Sequence, residues 1–397
     1  MRRLAWGLLL AFAFTVPWEH SLEFPEPFGS PARLAGLLLL LVAIPALLQT
    51  GFLRQPGPLQ ALTLAFFLWF LLSMLWTVDA ATTAEKLRAY FQEMIIVWLL
   101  WEFAASEADL RAIVRAIVAG CAVLALLTFS DFRSAEALAA EQVRFTAYGQ
   151  DPNDVARFLD LGLPLAAWLA RTELRRSARW LALLYLPLGV GATLLTASRG
   201  GFLALLIALV GCAALFLRRR GRMTRAAIVS VPVFLAALWI FIPAETFSRI
   251  NTIPEQLSGG DFNQRTTIWQ SGWQAFLHAP WFGSGGGTFV EAAGLLPTDT
   301  AHNTPLTLLV TGGLCALFLA AAIVIVAVLA AWRSRGPFRI ALLTSLSVWA
   351  VSAMAATVEE SRFTWLLLAL AALAARVREE SLSLSSSYDG SSVVVVG

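Results

Sequence analysis

Residues 194–211, "LLTASRGGFLALLIALVG", contain one charged side chain, that of Arg199, in an otherwise apolar run. No acidic residue lies within ten positions of Arg199 in either direction. Similar apolar runs of about 20 residues recur along the 397-residue chain, which is 58% hydrophobic and only 14% charged. In lipid such runs form helices, because the backbone must satisfy its own hydrogen bonds. The sequence therefore predicts an all-α, polytopic integral membrane protein.

Twelve apolar segments are candidates for membrane-spanning helices. They are residues 4–18, 32–48, 59–77, 90–104, 111–129, 154–170, 180–197, 201–217, 226–243, 305–331, 340–357 and 363–376. The longest loops between them are 244–304, which precedes the last three spans, and 130–153. We expect residues 1–379 to form one membrane domain and the Ser-rich residues 380–397 to be a disordered tail.

The distribution of basic residues predicts the orientation of these spans. If the N-terminus lies in the cytoplasm, 19 of the 29 basic residues fall on the cytoplasmic side, namely Arg2, Arg3, Arg54, Arg111, Arg115, Arg171, Arg175, Arg176, Arg179, Arg218, Arg219, Arg220, Arg222, Arg225, Arg333, Arg335, Arg339, Arg376 and Arg378. Both termini are then cytoplasmic, and the loop 244–304 lies on the outer face. The net charge of +3 reflects this asymmetry and does not indicate a nucleic-acid partner.

The loop 244–304 has two distinctive parts. Apolar side chains at helical spacing predict an amphipathic helix near 263–278, and they are Ile268, Trp269, Trp273, Phe276 and Leu277. We expect this helix to lie along the outer membrane–water interface, with its tryptophans at headgroup level. The stretch 281–294, "WFGSGGGTFVEAAG", looks like a phosphate-binding loop but lacks the Gly-Lys-Ser/Thr ending of a nucleotide-binding loop. We interpret it as a flexible, tightly turning loop.

Two arginines on the predicted outer face are candidates for binding an anion. Arg199 opens the eighth span beside Gly200 and Gly201, which would let a large anion approach the helix N-terminus and the guanidinium. Arg265 begins the amphipathic helix. Two guanidinium groups in one cavity suit a pyrophosphate, since each binds phosphate oxygens bidentately. The alternatives are that Arg199 snorkels to lipid headgroups and that Arg265 is a solvated loop charge.

His302 is the candidate for a base. It lies beside Asn303, just before the predicted start of the tenth span at Thr304 and Pro305. An unperturbed imidazole has a pKa of about 6.5 and can accept a proton at neutral pH. A purely structural role is the alternative for this histidine.

The motif "DPND" opens the sixth span. Asp151 followed by Pro152 is an ordinary helix start. Asp154, Arg157 and Asp160 share one face of the helix and predict a buried ion-pair ladder that can also shape a cavity. No cluster of His, Cys, Asp and Glu has the spacing of metal ligands, so no catalytic metal is expected.

Four motifs taken together resemble the O-antigen ligase family, which includes related O-antigen polymerases and protein O-oligosaccharyltransferases. They are "DPND" at 151–154, "TASRGG" at 196–201, "RTTIWQSGWQAFLHAPWFGSGGGTF" at 265–289 and "AHNTPL" at 301–306. About twelve spans with one large periplasmic loop are also typical of this family. The resemblance implies a glycosyltransferase of the C-type (GT-C-like) architecture in the bacterial inner membrane.

The resemblance also implies the roles of individual residues. Arg199 and Arg265 match the family's arginines that bind the pyrophosphate of an undecaprenyl-pyrophosphate-linked glycan donor. His302 matches the base that activates the acceptor hydroxyl on the periplasmic face. We count as supporting residues Asn153, Asp154, Arg157 and Asn303. No cofactor is expected, because the activated donor supplies the energy, and we expect a monomer surrounded by membrane lipids.

The acceptor stays open at this stage. By resemblance, a ligase passes the glycan to lipid A–core, a polymerase to another carrier-linked repeat, and an oligosaccharyltransferase to protein hydroxyls. We favour the ligase. A secondary transporter is the alternative of a different class, although the sequence shows neither duplicated halves nor a matched pair of broken helices. A catalytically silent scaffold is the third alternative.

Overall fold

The computed structural model describes residues 1–22, 24–25, 29–51, 53–137, 144–217, 251–252 and 265–389, apart from the side chains of Thr50 and of residues 381–389. This described chain is helical and contains no β-strand. Its helices are α1 (Arg2–Thr15), α2 (Pro31–Thr50), α3 (Pro58–Leu72), α4 (Ala80–Phe103), α5 (Glu107–Ala137), α6 (Pro152–Thr172), α7 (Arg176–Leu195), α8 (Arg199–Leu217), α9 (Arg265–His278), α10 (Phe289–Ala293), α11 (Thr304–Arg333), α12 (Gly336–Ala353) and α13 (Arg362–Asp389).

The helices agree with the predicted membrane class. Every predicted span that falls on described residues coincides with one helix among α1–α8 and α11–α13. The ninth predicted span, residues 226–243, lies outside the described residues. Among the described residues, seven helices are long and apolar enough to cross a membrane, and they are α2, α3, α5, α7, α8, α11 and α12. The all-helical class is confirmed, whereas the count of twelve spans and the C-type architecture stay predictions.

Helix α6 lies at the centre of the bundle. All of its residues from Val155 to Ala170 are buried, and it packs against α5, α7, α8 and α12. Close packing depends on small residues: a Cβ added to Gly162 would lie 2.6 Å from the Tyr185 hydroxyl. Because α6 is surrounded by protein, its charged side chains face neighbouring helices and not lipid, as charges within a span usually do.

Two predicted helix starts are confirmed by their caps. The Asp151 carboxylate accepts hydrogen bonds from the backbone N–H groups of Asn153 and Asp154, at 2.8 and 3.3 Å, at the start of α6. The Asn303 side chain accepts one from Leu306 N–H at 3.0 Å and caps α11. Both helices have proline in the first turn, where its missing N–H costs no hydrogen bond.

Two segments predicted to be irregular are partly helical. Helix α5 continues to Ala137, into the predicted loop 130–153. Helix α13 continues to Asp389, so residues 380–389 are helical where a disordered tail was predicted, and residues 390–397 lie outside the described part. The reason is the same in both cases. Neither extension contains glycine or proline, and lengthening an existing helix adds a hydrogen bond for each residue.

The glycine-rich stretch 281–289 is a packed structural element, which corrects its interpretation as a flexible loop. Helix α11 is broken at Gly313, whose φ is 67°, and the stretch docks its backbone into this break. Two of its N–H groups donate to α11 carbonyls at 2.9 Å, Ser284 to Val310 and Gly285 to Thr311. A Cβ added to Gly313 would lie 2.3 Å from the carbonyl oxygen of Trp281. Only glycine therefore fits at the break.

Candidate active site

The start of α8 holds Arg199 beside the start of α6. Ser198 caps α8, because its hydroxyl accepts a hydrogen bond from Gly201 N–H at 3.0 Å. The same hydroxyl donates to the Asn153 side chain at 2.7 Å and so joins the two helix starts. Arg199 donates from Nε to the Thr252 hydroxyl at 2.9 Å. The predicted supporting residue Asn153 thus contacts Ser198, the neighbour of Arg199, and its role in function stays a prediction.

Gly200 and Gly201 allow α8 to pack closely against its neighbours. A Cβ added to Gly201 would lie 2.4 Å from the Cβ of Ala156 in α6. A Cβ added to Gly200 would lie 3.1 Å from the Cβ of Ala355. Both glycines therefore serve close packing. Their predicted role in admitting an anion to Arg199 stays a prediction.

We expect Gly201→Ala to destabilise the protein and to displace Arg199. The added methyl group overlaps Ala156 of the fully packed helix α6, and overpacking of this kind costs about 1–3 kcal/mol. Thermal unfolding of the purified protein measures the effect. Gly7→Ala in α1 is the matched control, since nothing lies within 4 Å of its added Cβ. Equal unfolding temperatures for the two variants would contradict this account of α8 packing.

Arg265, at the start of α9, lies within electrostatic reach of Arg199. Its Nη1 donates to the Ala355 carbonyl at 3.1 Å, and Ala355 is also the residue that packs against Gly200. Burial lowers the pKa of Arg265, Asp151 opposes this shift, and the positive charge of Arg199 adds to it. Two guanidinium groups that repel each other form a positive site that a bound anion stabilises.

Helix α9 is held by protein contacts as well as by its amphipathic character. Of the helix predicted near 263–278, the first two residues lie outside the described chain and the rest forms α9. Phe276 is buried against apolar side chains of α10 and α11. Trp269 donates its indole N–H to the Ala301 carbonyl at 2.8 Å, and Trp273 is exposed. The place of the two tryptophans at headgroup level stays a prediction.

His302 lies between two anchored residues. The Ala301 carbonyl accepts the indole hydrogen bond from α9, and Asn303 caps α11. The Thr304 hydroxyl bonds to two backbone groups of the turn 354–361, both at 2.9 Å. The φ of His302 is 44°, a left-handed conformation that is uncommon for residues other than glycine and that is found at functional sites. The surrounding hydrogen bonds maintain this conformation.

His302 belongs to the same electrostatic cluster as the two arginines. Burial lowers its pKa, and the positive charge of Arg265 lowers it further, while Asp151 and Asp154 oppose the shift. The positive charge of Arg199 in turn lowers the pKa of Arg265. The three predicted site residues are therefore brought together, each at the end of a different element.

We expect the lowered pKa of His302 to set the acid limit of activity. A general base acts in its neutral form, and an imidazole whose pKa lies below 6.5 is more than half neutral at pH 6.5. The acid limb of the pH profile of kcat/KM should thus have its midpoint below pH 6.5. The Glu359→Gln variant is measured in parallel with the wild type. Glu359 has a pKa of about 7, and its replacement removes a second titration from the profile. An apparent pKa at or above 6.5 in both proteins would contradict the assignment.

The predicted ion-pair ladder on α6 is present in part. Arg157 Nη2 lies 2.8 Å from the Asp154 carboxylate and donates to the Ser361 hydroxyl at 3.3 Å. Asp160 accepts a hydrogen bond from Thr193 of α7 at 2.9 Å, and no ion pair joins it to Arg157 in the described structure. Side chains on a helix lean toward its N-terminus, so Arg157 reaches back to Asp154 and not forward to Asp160.

Two residues near the site carry no role in the sequence analysis. One is Ser198, an ordinary serine before a helix. The other is Glu359, which is only 5% exposed and whose carboxylate oxygens have no hydrogen-bond partner among the described residues. Burial raises the pKa of Glu359 to about 7, and Lys86 opposes this shift. The sequence feature that could have identified Glu359 is the pair of acidic residues, Glu359 and Glu360, between two apolar spans.

The described residues contain no group of three or more His, Cys, Asp or Glu side chains that could hold a metal ion. They do contain a cationic group able to bind an anion, formed by Arg199 and Arg265, with an imidazole next to it. This arrangement can neutralise a diphosphate and accept a proton from a hydroxyl. Independence from metal stays a prediction.

Comparison with known proteins gives a match to a protein family. Residues 180–321 match the family model described as O-Antigen ligase. The matched segment contains Arg199, Arg265 and His302, and it extends from α7 into α11. No curated protein matches the chain. The family match agrees with the resemblance that the four motifs indicate and supports the O-antigen ligase/polymerase family.

Proposed function

We propose that this protein transfers a glycan from an undecaprenyl-pyrophosphate carrier to an acceptor hydroxyl on the periplasmic face of the bacterial inner membrane. The favoured acceptor is lipid A–core, which makes the protein an O-antigen ligase. The observation that carries the proposal is the convergence of Arg199, Arg265 and His302 beside the turn 354–361. The family match supports glycan transfer of the ligase or polymerase type.

In this proposal the arginines stabilise the leaving group. The bond between the anomeric carbon and the carrier pyrophosphate breaks, and negative charge grows on the phosphate oxygen that leaves. Guanidinium groups that are already held in place stabilise this charge in the transition state. Arg265 is fixed through Ala355 and Arg199 through Thr252, so little reorganisation is needed. The mutual repulsion of the two arginines favours binding of the diphosphate.

His302 acts as the base in the same step. The acceptor oxygen forms a bond to the anomeric carbon while its proton moves to the neutral imidazole. A positioned base of this kind accelerates proton transfer by about 10²–10⁴-fold. A single in-line displacement inverts the anomeric centre, so an α-linked donor gives a β-linked product and free undecaprenyl pyrophosphate. The activated donor supplies the energy of the reaction.

Transfer in vitro from a defined undecaprenyl-pyrophosphate glycan tests the proposal. We expect the purified protein to form a glycan–acceptor product and to release undecaprenyl pyrophosphate at the same rate with and without EDTA. Loss of activity in EDTA that returns with a divalent cation would overturn the metal-independent mechanism. Uptake of substrate into proteoliposomes, without glycan transfer, would overturn the enzyme in favour of a transporter.

Disruption of the gene separates the ligase from the polymerase. Loss of all long chains from lipopolysaccharide, with carrier-linked polymer accumulating, is the result expected for a ligase. Lipopolysaccharide that carries single repeats would instead identify a polymerase. The same gel separates both from a protein O-oligosaccharyltransferase, whose loss leaves lipopolysaccharide unchanged.

A further inference from the structure

Helix α6 and the turn 354–361 contribute buried polar atoms that have no hydrogen-bond partner. Arg157 is 2% exposed, and its Nε and Nη1 make no hydrogen bond among the described residues, although Nη2 pairs with Asp154. Glu359 is 5% exposed, and neither of its carboxylate oxygens has a partner there. The Thr357 hydroxyl is also buried and unpartnered within the described chain. We call Arg157, Thr357 and Glu359 the polar cluster.

The members of the polar cluster lie in one place. Arg157 donates from Nη2 to the Ser361 hydroxyl at 3.3 Å, and Glu359 and Thr357 precede Ser361 by two and four positions in the same turn. Burial raises the pKa of Glu359 to about 7, and the positive charges of Lys86 and Arg157 oppose this shift. The guanidinium of Arg157 is therefore within electrostatic reach of the Glu359 carboxylate.

The turn is already held in place by hydrogen bonds to its backbone. The Thr304 hydroxyl of α11 bonds to the Ala356 carbonyl and to the Val358 N–H, both at 2.9 Å. The Trp365 indole of α13 donates to the Glu359 backbone carbonyl at 2.8 Å. None of these bonds uses the carboxylate or the hydroxyl of the polar cluster. Those two groups are thus not what fixes the turn.

Unpartnered polar groups in a protein interior oppose folding. Native proteins satisfy nearly all of their buried polar groups, so a specific exception indicates a function or a bound group. A well-packed apolar side chain is often more stable than a buried charge. Three such exceptions on neighbouring segments indicate a site whose hydrogen bonds are completed by a ligand.

The chemistry of the polar cluster favours a neutral ligand that both donates and accepts hydrogen bonds. Arg157 offers donors, the ionised Glu359 offers acceptors, and the Thr357 hydroxyl offers both. Arg157 and Lys86 repel a cation, while Glu359 and Glu360 repel an anion. A sugar hydroxyl is uncharged, donates one hydrogen bond and accepts others, so it matches all three side chains.

The polar cluster lies next to the candidate active site. Ala355, two positions before Thr357, accepts the hydrogen bond from Arg265. The Asp154 side chain, which pairs with Arg157, is 38% exposed, and its charge opposes the lowering of the His302 pKa by burial. The cluster is therefore one residue removed from a surface near His302. A ligand that reaches the unpartnered atoms breaks no hydrogen bond that they make.

We propose that Arg157, Thr357 and Glu359 bind hydroxyl groups of a sugar, which belongs either to the carrier-linked donor or to the acceptor. The identity of the ligand as one of these two glycans rests on the proposed function. Such a site selects its substrate, because a glycan without the hydroxyl leaves buried polar groups unpaired. The three side chains would then determine specificity beside the residues that carry out the transfer.

Glu359→Gln and Thr357→Val test the inference, because stability and activity should respond differently. Ionisation of Glu359 costs stability at pH 8, since burial raises its pKa, so Glu359→Gln should unfold at a higher temperature than the wild type. Thr357→Val removes a hydroxyl without a partner among the described residues and should not lower the unfolding temperature. We expect kcat/KM for glycan transfer to fall at least about tenfold in Glu359→Gln and about two- to tenfold in Thr357→Val.

The matched control is Thr63→Val. Thr63 is buried in α3, and its hydroxyl donates to the Gln60 carbonyl of its own helix at 2.9 Å. This variant should transfer glycan at close to the wild-type rate. Misfolding cannot explain lower transfer in a variant that unfolds at a higher temperature, so Glu359→Gln separates a role in binding from a role in the fold.

Two kinetic series identify the substrate that carries the hydroxyl. The donor concentration is varied at saturating acceptor, and the acceptor concentration is then varied at saturating donor. A loss of kcat/KM confined to the donor series assigns the hydroxyl to the carrier-linked glycan. A loss confined to the acceptor series assigns it to the acceptor.

Binding measured without catalysis distinguishes this inference from the proposed function. Each glycan substrate, added alone, should raise the unfolding temperature of the wild type, because a ligand stabilises the folded state that binds it. A smaller rise in Glu359→Gln and Thr357→Val supports the polar cluster even if no glycan is transferred. Equal rises and equal kcat/KM in the wild type and both variants would overturn the inference, while transfer by the wild type would leave the proposed function standing.

Discussion

His302→Ala should lower the rate of glycan transfer by about 10²–10⁴-fold, because the acceptor hydroxyl then has no positioned base. His302→Asn should lose as much activity. Asparagine adopts the left-handed backbone of residue 302 more readily than most residues, so this variant keeps the local fold and removes only the base. The rate of product formation from a defined carrier-linked glycan measures both effects.

The matched control for this prediction is His278→Ala. His278 ends α9 in the same family-matched segment, is exposed, and contacts the Gln274 carbonyl of its own helix. We expect this variant to transfer glycan at close to the wild-type rate. Near-normal transfer by His302→Asn, combined with loss in His302→Ala, would show that residue 302 matters for its backbone and not as a base.

Arg199→Ala and Arg265→Ala should each abolish most of the transfer. A guanidinium fork donates two charge-assisted hydrogen bonds to a phosphate, each contributing about 1.5–3 kcal/mol. Together they correspond to a rate loss of roughly a hundredfold or more. The lysine variants keep the charge but lose the fork, so we expect them to fall between alanine and wild type. Steady-state kinetics with the donor concentration varied measures the change in kcat/KM.

A combined variant tests whether the two arginines act on one ligand. Residues that bind the same group give non-additive effects, so Arg199→Ala/Arg265→Ala should lose less than the product of the two single losses. Arg133→Ala, an exposed arginine in α5, is the control and should retain transfer. Full activity in both single variants, with normal membrane insertion, would refute the assignment of the pyrophosphate site.

Much of the fold was predictable because its determinants are local. Uninterrupted apolar runs indicated the helices, and the Asp151–Pro152 and Asn303–Thr304–Pro305 sequences indicated two helix starts. Polarity along the chain, however, predicted the ends of two helices too early. The chain after Phe129 and after Glu379 is polar, yet α5 and α13 continue through it, since polarity alone does not end a helix.

The candidate site was predictable as a set of residues but not as a geometry. Arg199, Arg265 and His302 were identified by residue type, by position at span ends and by family resemblance. Their partners were not, because each partner is distant in sequence. Ala355 lies 90 positions from Arg265, and Asn153 lies 45 positions from Ser198. No periodic pattern encodes such pairings.

The sequence by itself determined that this chain is a helical membrane protein, which residues begin two of its helices, and which three side chains are candidates for binding a diphosphate and accepting a proton. Hydropathy, capping and residue chemistry act over a few positions, so they can be read along the chain. Only the tertiary structure decided that glycines beside Arg199 serve packing, that the glycine-rich stretch docks into the break of α11, and that Asp160 pairs with α7. Those outcomes depend on which segments pack against each other. Close packing is a property of helices brought together from distant parts of the chain.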